Sequence, residues 1–162
     1  MPSFHFTYDS FPDATSIDPV LQQLMATAAE AARNLSYAPY SKFQVGAAVL
    51  LENDAVVQGS NQENASFPAG ICAERVALNS AAVLYPGIKV LTIAIAYTKA
   101  HIDAEMADEV LSPCGICRQV ISEVYQRQNS PIRLLMSSAN GKIIMINDAQ
   151  NLLPFSFGSH ML

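Results

Sequence analysis

The chain has 162 residues, 51% of them hydrophobic and only 14% charged, with a formal net charge of −5. That length fits one domain able to bury its own core. The 9 Lys and Arg residues form no run, which argues against a polyanion binder, because holding nucleic acid at physiological salt requires clustered cations on phosphates.

A small, near-neutral ligand suits such a chain better, and so little charge implies that part of the surface is covered by other subunits. No apolar stretch is long enough to span a bilayer. The opening Met1-Pro2-Ser3-Phe4-His5-Phe6 lacks the basic region and apolar stretch of a signal peptide. Three cysteines make a poor disulfide framework. The expectation is therefore a cytoplasmic protein whose clustered cysteines are metal ligands or redox groups.

Residues 1–17 form a polar and aromatic lead-in, and 18–162 read as a single catalytic domain without repeats or linkers. Asp18-Pro19 has the form of an N-cap followed by a first-turn proline. Val20, Leu21, Leu24, Met25 and Ala28 then recur at helical spacing, which predicts a helix over about 19–34. After the loop Tyr37-Ala38-Pro39-Tyr40-Ser41, the apolar runs Phe43 to Leu51 and Ala55 to Gly59 read as a β-hairpin. A second helix starts near Cys72 and stops at Pro86-Gly87. Ile88 to Tyr97 is apolar enough for a central strand. A polar segment, His101 to Glu109, precedes a third helix opened by Pro113-Cys114-Gly115. Two strands, Ile132 to Met136 and Ile143 to Ile146, flank the turn signal Asn140-Gly141. A short helix near Asp148 to Leu152 ends before Pro154. This order implies an α/β domain with a mixed five-stranded sheet and helices packed on it.

Two motifs carry the chemistry: Cys72-Ala73-Glu74 and Pro113-Cys114-Gly115-Ile116-Cys117. Three thiolates with one open position describe a catalytic zinc site, since a structural site needs a fourth protein ligand. His5, His101 and His160 lie outside the motifs and read as surface groups. Cys72 and Cys114 fall at helix starts, where the helix dipole favours thiolates, and Cys117 lies one turn along from Cys114 on the same face. Three thiolates on Zn²⁺ leave a negative site. Arg75 is the residue able to compensate by donating to ligand sulfurs, unless it is an ordinary exposed helix arginine. Glu74, two residues after a ligand, can reach the open position without occupying it. It also fits a helix first-turn carboxylate, and the two readings are compatible.

Carboxylate acid/base chemistry beside a P-C-x-x-C zinc site is the arrangement described for zinc nucleobase deaminases, and here the sequence resembles the small cytidine deaminase family. The resemblance runs over roughly residues 19–157 and implies a three-layer α/β/α sandwich with one Zn²⁺ per subunit held by Cys72, Cys114 and Cys117, and Glu74 as the catalytic group. Ala38-Pro39-Tyr40-Ser41-Lys42-Phe43 through Ala48 looks like the family's substrate segment, in which Phe43 would pack on the pyrimidine ring. Asn61-Gln62-Glu63-Asn64-Ala65-Ser66 looks like its ribose segment. There Asn61 and Glu63 would bind sugar hydroxyls, and the Ala65 backbone would meet the base. Leu152-Leu153-Pro154 with Phe155 and Phe157 resembles the C-terminal element that helps build a neighbouring subunit's site, with Phe157 preferred as the aromatic that reaches across. Taken alone, Phe43 fits a core position, and Asn61 and Glu63 fit a polar strand end. Asn151 stands where the family often has glutamate, and the lead-in is longer than in many compact members.

The resemblance implies hydrolysis of cytidine and deoxycytidine to uridine and deoxyuridine, with a small-molecule partner, no nucleic acid and no membrane. It further implies a homotetramer, with a homodimer as the alternative. The rivals are the same chemistry on another aminopyrimidine, such as a blasticidin-type antibiotic, and a non-catalytic zinc or thiol-redox module.

Overall fold

The computed structural model describes residues 1, 3–99 and 106–162; of the polar segment expected from His101, residues 101–105 lie outside the described residues. Six strands, β1 (Asp9–Phe11), β2 (Phe43–Leu51), β3 (Val56–Ser60), β4 (Val90–Lys99), β5 (Arg133–Ser137) and β6 (Ile143–Ile146), form one sheet in the order β1-β6-β5-β4-β2-β3. The sheet is mixed: β4 and β5 run parallel, and the other neighbours are antiparallel. The sequence predicts five strands. The sixth, β1, comes from the lead-in and exists through its pairing with β6.

Helix α1 (Pro19–Leu35) starts as its sequence dictates, with the Asp18 carboxylate accepting from the Val20 amide at 2.8 Å and proline in the first turn. Helices α2 (Ala73–Leu84) and α3 (Gly115–Gln128) complete the set of α-helices among the described residues. The expected closing helix is a 3₁₀ turn, Ala149–Leu152.

Alternation along the strands divides the core into two. Val49, Ile93, Ile95, Leu134 and Met136 face α2 and α3, where they meet Ala77, Leu78 and Ile121. Ala48, Ala94, Ala96 and Leu135 point the other way, onto Leu21, Leu24, Met25 and Ala28 of α1. The result is the expected three-layer α/β/α sandwich. Burial of both sheet faces explains why β2 and β4 read as continuous apolar runs rather than alternating ones.

Two glycines set how closely the helices approach. A Cβ on Gly46 would lie 2.0 Å from the Ala28 carbonyl oxygen of α1, and one on Gly59 would lie 2.4 Å from the Ala77 amide nitrogen of α2. Only glycine permits these backbone contacts. The second seats α2 directly on the hairpin, fixing the helix whose start carries Cys72. Among the described residues no helix is long and apolar enough to cross a membrane.

Candidate active site

Cys72 and Cys114 occupy the N-cap positions of α2 and α3, with extended backbone and no side-chain cap hydrogen bond. An N-cap is ordinarily filled by a short oxygen-bearing side chain. Placing sulfur there at two neighbouring helix starts brings two positive dipole ends to bear on the same cluster of thiols. Cys117, one turn into α3, is fully buried. The Sγ–Sγ distances are 3.8 Å for Cys72–Cys114 and 3.5 Å for Cys114–Cys117, and all three sulfurs lie within 4.8 Å of one another. Tetrahedral zinc with Zn–S bonds of about 2.3 Å places its sulfurs about 3.8 Å apart, so the donor set fits that ion.

The ionisation of the trio points the same way. The Cys72 thiol is lowered to about 6, first because Cys117 hydrogen-bonds it; Cys114 and the Arg75 charge also lower it, against burial and the Glu74 charge. Cys117 is pushed up, first by that same hydrogen bond to Cys72 and then by burial. A negative charge forms readily on Cys72, and its presence disfavours a second one on Cys117.

Glu74, in the first turn of α2, is 4% exposed. Burial pushes its carboxyl up, opposed by its own backbone amide and by Cys117. A carboxyl that is harder to ionise than usual is suited to holding a proton and passing it on. Arg75 is half-buried. It acts on Cys72 through its charge, and no hydrogen bond from its side chain to a sulfur occurs among the described contacts.

These groups close one end of a cleft of about 510 Å³ lined by Phe43, Asn61, Glu63, Cys72, Glu74 and Cys114 among others. That is the size range of a small-molecule site. Phe43 stacks on Tyr97, with ring centroids 5.3 Å apart and planes 26° from parallel. Asn61 bridges β2: its Oδ1 accepts from the Val45 amide at 2.9 Å and its Nδ2 donates to the Phe43 carbonyl at 2.8 Å. The Glu63 carboxylate accepts from the Tyr40 amide at 2.9 Å, the Ser41 amide at 3.3 Å and the Ser41 hydroxyl. The cleft carries no Lys or Arg among its lining residues, while the carboxylates of Glu63 and Glu74 reach it.

Two expected contacts lie elsewhere in the single chain. Ala65 is exposed one residue beyond Asn64, which lines the cleft, and Phe157 is exposed outside the cleft lining, where its carbonyl accepts from Gln119 Nε2 of α3 at 2.9 Å. His5 is exposed; His101 and the side chain of His160 lie outside the described residues.

Sequence reasoning missed several groups. Phe67 is 77% exposed at the rim, edge-on to Tyr40, and no local pattern marks it. Arg118, directly after Cys117, donates to the Pro113 carbonyl at 2.8 Å, the Ser112 hydroxyl at 3.2 Å and the Leu152 carbonyl at 3.2 Å, tying the C-terminal turn to the start of α3. Its place beside a ligand was the available signal.

With that geometry in hand, residues 19–129 match the family model described as the cytidine and deoxycytidylate deaminase zinc-binding region. The chain belongs to the cytidine and deoxycytidylate deaminase family. The cytidine deaminase of Halalkalibacterium halodurans is 35% identical over 136 residues, covering 84% of this chain and 93% of that one. The crystal structure of cytidine deaminase from Burkholderia pseudomallei superposes with a TM-score of 0.68 at 35% identity, over 83% of this chain and 97% of that one. A blasticidin-S deaminase from Bacillus cereus is 26% identical over 118 residues, 72% of this chain and 79% of its own. The zinc-binding segment of this deaminase family therefore falls on the three-cysteine cluster.

Proposed function

We infer that the protein deaminates free cytidine and deoxycytidine by hydrolysis, releasing ammonia and the corresponding uridine. The observation that carries this is a three-thiol zinc site next to a buried Glu74, at the end of a cleft with no cation in its lining. No Lys or Arg lines the cleft to receive a 5′-phosphate, which favours a nucleoside over a nucleotide.

Cys72, Cys114 and Cys117 hold the zinc. When bound, zinc supplies a Lewis acid that makes water acidic near neutrality. Glu74 takes a proton from water and gives it to the pyrimidine N3, which makes C4 electrophilic. After hydroxide adds to C4, Glu74 takes the proton of the new hydroxyl and passes it to the amino group; the C4–N bond breaks, C4 becomes a carbonyl and ammonia leaves. Arg75 offsets the negative charge of the thiolates. Phe43, backed by Tyr97, stacks on the flat base. Asn61 and Glu63 hold sugar hydroxyls with the capacity that their bonds to β2 and the 40–41 loop leave free, and the Ala65 backbone meets the edge of the base.

Residues 18–162 form the catalytic unit, and 1–17 add a strand to its sheet. A homotetramer in which Phe157 completes a neighbour's cleft is supported by exposed apolar side chains on α2, α3 and the C-terminal segment, including Val83, Leu84, Ile116, Phe155 and Phe157. Light scattering checks that state. Three unpaired cysteines suit a reducing compartment, which supports a cytoplasmic location.

An ultraviolet assay on zinc-replete protein with cytidine, deoxycytidine, cytosine, deoxycytidine 5′-phosphate and blasticidin S tests the substrate assignment. The two nucleosides are expected to be turned over far faster than the rest. Preference for blasticidin or the phosphate would overturn it.

A further inference from the structure

The loop Tyr37–Lys42 and the segment Asn61–Glu63 are laced together by backbone. The Tyr37 amide donates to the Asn61 carbonyl at 2.9 Å, and the Glu63 amide donates to the Tyr37 carbonyl at 2.8 Å. At the cleft wall the lacing passes to side chains, and one atom sits at its centre. The Ser41 hydroxyl donates to Glu63 Oε1 and accepts from the Phe43 amide at 3.0 Å. Between them Lys42 takes a left-handed conformation, φ 57°, which a side-chain-bearing residue adopts only when its surroundings hold it there.

A carboxylate offers about four acceptor positions, and two amides plus one hydroxyl occupy three of those of Glu63. The Ser41 hydroxyl is the donor on Oε1, so it decides how the remaining lone pair is aimed. Through its other bond it fixes the backbone that carries Phe43. Asn61, bonded to the Phe43 carbonyl, closes the same ring from the opposite side.

We propose that Ser41 is a positioning residue for substrate binding: its hydroxyl joins the Glu63 carboxylate to the Phe43 backbone, so that sugar and base are received in one fixed relation. The inference rests on the deaminase reading above. Ser41 is exposed and the two amide bonds to Glu63 do not depend on its side chain. Losing the hydroxyl therefore loosens the aim of the carboxylate without releasing the loop.

The test measures kcat and KM for cytidine in wild type, Ser41→Ala, Ser41→Thr, Glu63→Ala and the Ser41→Ala/Glu63→Ala double variant, with thermal unfolding of each. Ser41→Ala is expected to raise KM about tenfold, as for a lost hydrogen bond to a charged group, with kcat little changed. Ser41→Thr keeps a hydroxyl and restores KM. In the Glu63→Ala background, Ser41→Ala adds less than about twofold, because the partner it aims is already gone. Equal losses in the two backgrounds, an unchanged KM in Ser41→Ala, or a Ser41→Ala chain that fails to fold would each overturn the assignment while leaving the deaminase reading intact. A wild-type protein inactive on cytidine would overturn both.

Discussion

At the metal end of the cleft, α2 and α3 begin on cysteines, and the backbone of two helices holds Cys114 Sγ 3.8 Å from that of Cys72 and 3.5 Å from that of Cys117. At the end proposed to take the sugar, Asn61 and Glu63 stand on an irregular segment, and their side chains are held by hydrogen bonds to Phe43, Val45, Tyr40 and Ser41. The first construction is rigid because secondary structure and core packing determine it. The second is a network in which each member depends on its neighbours. Changes at the metal end should therefore abolish the chemistry outright, and changes at the sugar end should weaken binding by increments.

The sharpest way to break that contrast is Cys117→Ser. Replacing a buried thiol with a poorer zinc ligand is expected to remove the metal and reduce turnover to background, read by metal analysis against one zinc per chain in wild type. Activity or full zinc content in that variant would place the site elsewhere. A middling effect is expected for Asn61→Ala, which unpairs the Val45 amide and the Phe43 carbonyl at the start of β2. Unfolding in urea should show a loss of roughly 1–3 kcal/mol, with a raised KM and zinc content unchanged; loss of zinc would mean that the two ends are not separable.

The smallest effect concerns Glu63. The Ser41 hydroxyl holds its carboxyl below the usual glutamate range, against burial and with help from the Tyr40 and Ser41 amides and the Lys42 charge. A depressed folded-state value means that the stabilisation from the Ser41–Glu63 hydrogen bonds is fully present above the unfolded value of about 4.3 and is lost only as the pH falls through the lower folded one. Carboxyl ¹³C titration should place Glu63 below an ordinary glutamate in wild type and closer to it in Ser41→Ala. Identical titrations would show that the hydroxyl does not hold the carboxylate.

The same contrast explains what could be read from the chain. Cys72-Ala73-Glu74 and Pro113-Cys114-Gly115-Ile116-Cys117 are legible because helix starts announce themselves locally, and a three-residue spacing along a helix places two sulfurs on one face. The apolar runs of β2 and β4 are legible for the same local reason. By contrast, Asp9-Ser10-Phe11 carries no strand pattern and becomes β1 only because the edge of β6 is there to pair with it. Asn61 and Glu63 stand out through a family resemblance, yet their bonds to β2 and to the 40–41 loop depend on segments more than fifteen residues away. Arg118 reaches Leu152 across thirty-four residues of chain, while also holding Ser112, for a reason no local pattern records.

In the proposed mechanism Glu74 moves protons beside a zinc ion it does not hold. Glu74→Ala, assayed for cytidine turnover and zinc content on one preparation, tests it most directly. The expected result is full zinc with turnover reduced by roughly 10²–10⁴-fold. Near wild-type turnover, or loss of the metal together with the carboxylate, would contradict it.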